Sequence, residues 1–199
     1  QFYTFTIEPS WRFDSRNRNI FPTSGQSHRL SATVAVPGGD LTYLKGEYDL
    51  ARRYALEGLG KFEEINHRWG IAVSFGRLGL AELELGQWNA AVGHFLECLD
   101  QATEAGLVPQ QHYAVTGIGR ALVKAGRYQE AGRLLGFEAN ADANPYREFA
   151  QAGLDSIPTE VRAEATSESI DFTAAVELCR RAADTLIGPG EVSEQVSDA

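Results

Sequence analysis

A glycine–aromatic–alanine pattern occurs three times in the chain at a spacing of 40 residues. In each copy an aromatic residue follows glycine at the second position and alanine at the fifth: Gly46, Tyr48, Ala51; Gly86, Trp88, Ala91; Gly126, Tyr128, Ala131. Repetition at this period is typical of a stacked array of helical hairpins. The pattern therefore predicts a mainly α fold, an α-solenoid over residues 44–187, preceded by a short β-hairpin segment over residues 1–43.

The N-terminal segment alternates apolar and polar residues, as expected of strands with one apolar face. The first alternating stretch is Gln1–Asp14, and its apolar face carries Tyr3, Phe5, Ile7, Trp11 and Phe13. A polar connection leads to a second alternating stretch, Ser27–Val36. These two stretches predict a hairpin.

Three elements of this segment resemble the β-barrel of BamA-type outer-membrane assembly factors. They are Ser10–Arg18, containing Asp-Ser-Arg, then Phe21–Gly25, reading Phe-Pro-Thr-Ser-Gly, then Ala35–Tyr43, containing Pro-Gly-Gly-Asp. The resemblance implies a hairpin facing lipid on one side and a polar lumen on the other. It covers less than a quarter of the chain and supplies too few strands to close a barrel. No assembly activity is carried over from it.

The array resembles tetratricopeptide repeats. The matching positions are Leu78, Gly79, Gly86, Trp88, Ala91 and Phe95 in one repeat, and Ile118, Gly119, Gly126, Tyr128, Ala131 and Leu135 in the next. In this interpretation Gly79 and Ala91 permit close helix packing, whereas Trp88 and Phe95 fill the space toward the next pair. The long period and the stretch Arg68–Ala72 resemble arrays in bacterial regulators of the MalT and LuxR type. The chain is interpreted as a mosaic with its junction near residues 41–46, and natural recombination, an engineered fusion and a faulty gene assembly stay open as its origin.

The repeat decays after Gly136, and three further helices are predicted. They are Pro145–Leu154, a short helix over Pro158–Ala165, and Phe172–Ile187 with Asp171 as its N-cap. We expect these helices to cap the end of the solenoid. Residues 188–199 predict a disordered tail.

Charge and composition exclude several function classes. The net charge of −9 argues against nucleic-acid binding, which needs a basic surface. No apolar run is long enough for a membrane helix. Absence of methionine favours a processed product, an engineered chain or a fragment of a longer protein. Cys98 and Cys179 are predicted to be buried, reduced thiols.

No catalytic or metal-binding arrangement is predicted. The four histidines are expected to be packed or exposed, and His94 with Cys98, four residues apart, would give only two metal ligands. Glu82 and Glu84 are expected on a solvated helix face. We therefore predict a protein that is not an enzyme and uses no cofactor or metal.

Binding remains as the expected activity. If the first helix of each pair lines a groove, its inward positions are Val73, Leu80, Leu83 and Glu84, then Tyr113, Thr116, Arg120, Val123 and Lys124. Arg120 and Lys124 are suited to hold a carboxylate or an acidic peptide. An ordinary surface or packing role for these residues is the alternative.

Three hypotheses stay open from the sequence. The first is a cytoplasmic scaffold binding a protein or peptide partner. The second is an outer-membrane barrel component, with membrane association only if the N-terminal hairpin joins a barrel. The third is a subunit of an enzyme or regulator whose catalytic part lies outside this chain.

Overall fold

The computed structural model describes residues 6–7, 10–14, 27–31, 34–35, 46–141 and 144–187. This part of the chain is mainly helical. Its helices are α1 (Tyr48–Glu64), α2 (Arg68–Glu84), α3 (Trp88–Glu104), α4 (Val108–Lys124), α5 (Tyr128–Asn140), α6 (Arg147–Asp155), α7 (Thr159–Ala165) and α8 (Phe172–Ile187). The predicted helices near residues 145–154 and 158–165 thus begin one or two residues later, and the third has the predicted bounds.

Four short strands lie within the two alternating stretches. They are β1 (Thr6–Ile7), β2 (Ser10–Asp14), β3 (Ser27–Ser31) and β4 (Val34–Ala35). β1 pairs antiparallel with β4, and β2 pairs antiparallel with β3, where Arg12 lies opposite Arg29. Of the predicted junction near residues 41–46, residues 41–45 lie outside the described residues, as does the predicted disordered tail, residues 188–199. The domain division between residues 43 and 44 stays a prediction.

The helical turns recur every 20 residues rather than every 40. A residue with positive φ stands before α1 at Gly46 and between successive helices at Asn66, Gly86, Gly106 and Gly126. After each of the last four, the next backbone N–H bonds to the carbonyl five residues earlier, as from Gln87 to Glu82 at 2.9 Å. This bond closes the end of the helix. The turn needs one residue in the left-handed backbone conformation, which glycine adopts without strain. The sequence pattern marked alternate turns only, because the intervening turns lack the aromatic residue.

Glycines let the helices approach closely around Phe95. The ring of this fully buried residue lies between α2 and α4. A Cβ atom at Gly79 would lie 3.0 Å from ring atoms of Phe95, and one at Gly117 would lie 2.6 Å from Cδ1. The predicted close packing at Gly79 is therefore present. The predicted packing role of Trp88 is wrong, because its position at the first turn of α3 leaves it 39% exposed.

The helices form two layers. α2, α4 and α6 lie side by side in one layer, which we call the α2–α4–α6 face, whereas α1, α3 and α5 alternate with them along the chain. α8 turns back and packs on α3, α5 and α4. It buries its stripe of Ala175, Leu178, Cys179, Ala182, Ala183 and Ile187 there. We call the surface beneath it the α3–α5 face. The expectation that α8 caps the end of the stack is therefore wrong, because its apolar stripe is buried along the array.

Side-chain caps fix the N-terminal ends of α2 and α8. The N–H of Gly70 donates to Nδ1 of His67 at 3.0 Å, which caps α2. The N–H of Ala174 donates to Oδ1 of Asp171 at 2.8 Å, which is the predicted cap of α8. Both caps satisfy amide groups that have no partner within the first helical turn.

Candidate functional site: the α2–α4–α6 face and two buried carboxyl groups

The predicted groove residues divide between the surface and the core. Val73 and Leu80 are half-buried on α2, and Lys124 is exposed at the end of α4. The expectation that Thr116, Leu83 and Val123 line a groove is wrong, because all three are buried. Helix α4 packs between α2, α3, α5 and α6, so only a narrow stripe of its surface faces outward.

Arg120 connects the three helices of this face. Its Nη2 lies 3.4 Å from Oε1 of Glu84 on α2, and its guanidinium lies 4.0 Å from the ring centre of Phe149 on α6. Tyr113 lies two turns earlier on the same face of α4. Its ring is stacked 6.3 Å from that of Phe149 and lies tilted, 4.9 Å away, against that of Tyr146. The structure thus brings Glu84, Tyr113 and Arg120 into one cluster. The guanidinium of Arg120 serves an internal ion pair and a cation–π contact, so carboxylate binding would fall mainly to Lys124.

Two polar atoms on α4 are buried without a partner in the described part of the chain. They are Oγ1 of Thr116 and Nη1 of Arg120, one helical turn apart. Such atoms carry a desolvation cost. Both residues share one face of α4 with Tyr113, because they follow it by three and seven positions.

Glu82 is a buried carboxyl group rather than the solvated one expected. Its side chain is 1% exposed, and it contacts Nε of Arg52 at 3.2 Å and Nδ1 of His94 at 2.6 Å. Arg52 belongs to α1 and His94 to α3, so Glu82 joins three helices through one group. His94 and Cys98 share no site, because the thiol of Cys98 points toward Gln110 on α4.

Glu138 is the second buried carboxyl group. Its Oε2 lies 2.9 Å from Nδ1 of His112 and accepts a hydrogen bond from Nδ2 of Asn144 at 2.6 Å. Oε1 has no hydrogen-bond partner among the described residues. Burial raises the pKa of Glu138 to about 8 and lowers the pKa of His112. Both shifts favour a neutral pair.

The sequence contains an indication that both carboxyl groups are buried, although their charge by itself suggests a solvated position. Glu82 follows Phe75 and Leu78 at helical spacing, and Glu138 follows Leu134 and Leu135 in the same way. Both therefore stand in the apolar stripe of their helix. Their burial depends on partners far along the chain, which no local pattern identifies.

The remaining groups show no reactive site in the described part of the chain. Cys98 and Cys179 are fully buried, as predicted, and burial raises the pKa of Cys98 to about 12. No group of three or more metal-ligating side chains occurs among the described residues. A pocket of about 550 Å³ lies between α5, α6 and α7, but the guanidinium of Arg162 at its edge is held by the carbonyls of Asp155 and Ile157.

A family model described as the Omp85 superfamily domain matches residues 1–86, which is less than half of the chain. The match covers the segment that resembles the BamA-type barrel and continues through α1 and α2. No solved structure matches the chain. No match supports the tetratricopeptide assignment or the resemblance to MalT and LuxR-type regulators. Among the described residues, no helix has the length and apolar character needed to cross a membrane.

Proposed function

We propose that the helical array is a non-enzymatic scaffold that binds a protein or peptide partner on the α2–α4–α6 face. The observation that carries this proposal is the position of α8. It covers the α3–α5 face with the chain's own residues, whereas no helix of the described part packs across the α2–α4–α6 face in the same way. A tetratricopeptide-like array uses the equivalent face for recognition.

The chemistry of this face suits an extended peptide. Val73 and Leu80 offer half-buried apolar surface, and Tyr113 offers an aromatic ring supported by Phe149. Aromatic anchors in partly buried positions are typical of binding surfaces. Lys124 adds an exposed cation in a chain whose net charge is −9, so we infer that the partner carries a carboxylate near this position.

The test is a peptide selection followed by measured affinities. Peptides of about ten residues are selected by display against the full chain, and their binding is measured by fluorescence anisotropy. Lys124→Glu reverses the exposed charge and should weaken selected acidic peptides at least tenfold. Glu164→Lys, an exposed charge reversal on α7, should leave the affinity unchanged. Selected peptides that bind Lys124→Glu as tightly as the wild type would refute the proposed face.

A second candidate function rests on the Omp85 match. Here the N-terminal segment would add strands to an outer-membrane barrel, and the array would contact other components of that assembly. Proteins of the Omp85 superfamily interact with protein partners, which is compatible with either proposal. An outer-membrane location belongs to this candidate and a cytoplasmic location to the first.

Vesicle flotation distinguishes the two candidates. The full chain is mixed with vesicles of phosphatidylethanolamine and phosphatidylglycerol and centrifuged through a density gradient. The barrel candidate predicts flotation that Trp11→Asp abolishes, because Trp11 stands on the predicted lipid-facing side. Arg12→Gln, on the opposite side of the same stretch, is the matched control. A wild-type chain that stays at the bottom of the gradient would contradict the barrel candidate.

A further inference from the structure

We propose that the His112–Glu138 pair is a proton-controlled latch that holds α8 on the α3–α5 face and releases α8 when the pair loses its proton. The latch concerns the face opposite to the proposed partner site. It would add a regulated surface to the array, one that the chain covers with its own helix at neutral or mildly acidic pH.

Aromatic contacts connect the pair to α8. His112 lies 6.4 Å from the ring of Phe137, stacked against it, and 6.1 Å from the ring of Phe172. The rings of Phe137 and Phe172 are 6.3 Å apart. Phe172 is the first residue of α8, so the start of this helix packs directly on the imidazole. A change in the charge or position of His112 therefore affects the packing of the N-terminal end of α8.

Among the residues that the structure describes, no cation compensates a charge on the carboxyl group of Glu138. Within the described residues, the groups facing it are His112 from α4, Asn144 from the connection before α6, and Cys179 from α8. Helices α6 and α7 also pack on α5, but no charged side chain of theirs contacts this carboxyl among the described residues. With one proton, the pair shares a hydrogen bond and stays neutral. Without it, a carboxylate is buried beside the thiol of Cys179, and its Oε1 has no hydrogen-bond partner among the described residues.

Release of α8 would remove the free-energy cost of burying this charge, because it exposes the buried side of Glu138 to water. The closed pair holds its proton up to a pKa of about 8, whereas an exposed glutamate has an ordinary value of 4.5. The open form therefore binds fewer protons, and its population rises tenfold per pH unit up to about pH 8. His112 has the opposite effect below its ordinary pKa of 6.5, because burial disfavours its cation. The response from Glu138 alone should appear between pH 6.5 and 8 as an increase of about 15-fold, because half of the closed pairs have already lost their proton at pH 8.

The two cysteines allow this release to be separated from unfolding. Cys179 lies on the buried stripe of α8, so release of α8 exposes its thiol. Cys98 lies on α3 but points toward α2 and α4, within reach of Gly76 and Gln110. It stays covered when α8 leaves and becomes accessible only when the array itself opens.

The experiment measures the alkylation rates of both cysteines by iodoacetamide in the full chain. Rates at pH 6.5, 7.25 and 8 are read by peptide mass spectrometry and divided by the rates in concentrated urea at the same pH. This division removes the intrinsic pH dependence of the thiolate. We expect the corrected rate at Cys179 to rise about 15-fold over this range and to exceed the rate at Cys98 at least tenfold at each pH, because exposure of Cys98 requires the rarer opening of the whole array.

Substitutions assign the response to the latch. Glu138→Gln keeps the shape of the side chain without a titrating proton, so the rate at Cys179 should not change between pH 6.5 and 8. Glu82→Gln alters the other buried carboxyl group, which is remote from α8, and should retain the wild-type response. A flat wild-type profile, equal corrected rates at Cys98 and Cys179, or an undiminished rise in Glu138→Gln would each overturn the proposal. The comparison of the two cysteines in the wild type decides the matter even if a variant does not fold.

Discussion

Replacement of Gly117 by alanine tests the packing that holds the array together. A Cβ atom at this position would lie 2.6 Å from Cδ1 of Phe95, against about 3.5–4.0 Å for an ordinary carbon contact. The ring must therefore move by about 1 Å. It has no space to do so, because Phe95 is fully buried and its opposite side lies 3.0 Å from the Cβ position of Gly79.

The expected loss follows from two opposing terms. Overpacking of a core costs about 1–3 kcal/mol, and the upper half of this range applies because backbone confines the ring on both sides. Alanine is favoured over glycine within a helix by about 1 kcal/mol, which offsets part of the cost. We therefore expect Gly117→Ala to lower the free energy of unfolding by about 1–2 kcal/mol.

The assay is urea denaturation followed by far-ultraviolet circular dichroism. Gly60→Ala is the matched control, because Gly60 lies within α1 and no heavy atom stands within 4 Å of its Cβ position. This control should raise the free energy of unfolding by about 0.5–1 kcal/mol. A second check is Gly117→Ala in a Phe95→Leu background, where the smaller side chain should reduce the effect of the added methyl group. Equal stabilisation by Gly117→Ala and Gly60→Ala would refute the packing argument.

Three further predictions concern other parts of the described structure. Gly132→Ala should destabilise the protein more than Gly117→Ala in urea titrations, because its Cβ would lie 2.6 Å from the backbone oxygen of Ala165, which has no rotamer to change. Asp171→Ala removes the N-cap of α8 and should cost about 1 kcal/mol in the same titrations, whereas Asp171→Asn should cost less, since asparagine caps comparably. The folded-state pKa of Glu138, about 8, lies above its ordinary value of 4.5, so its contribution to stability is complete below pH 4.5 and is lost as the pH rises to about 8. Urea titrations at pH 6.5 and 8 should therefore show a larger loss in the wild type than in Glu138→Gln; equal losses would contradict the assigned protonation of Glu138.

Much of the helical array could be predicted because its signals are local. Gly86 and Gly126 close helices with a left-handed residue, and Asp171 caps α8 through an amide three residues away. Gly79 was expected at a close contact because a small residue recurs in phase with large ones. Each of these inferences needs only a few neighbouring residues, since helix ends and helix faces are defined within one or two turns.

The groove could be predicted only in part. Leu80 and Lys124 retain exposed surface, whereas Thr116 is buried because α4 is packed on several sides. Arg120 is directed inward by Glu84 from one helix and by Phe149 from another. These partners are 36 and 29 residues away in the chain, beyond the range of any periodic pattern.

The amino-acid sequence by itself determined where the helices begin and end, because caps, glycine turns and apolar stripes act over a few residues. The tertiary structure alone decided that Glu82 and Glu138 are buried and that α8 lies along the array rather than at its end. A carboxyl group is stable inside a protein only when partners supply hydrogen bonds and it is either paired with a counter-charge, as Glu82 is with Arg52, or kept protonated, as Glu138 is. Those partners meet only once the helices have packed.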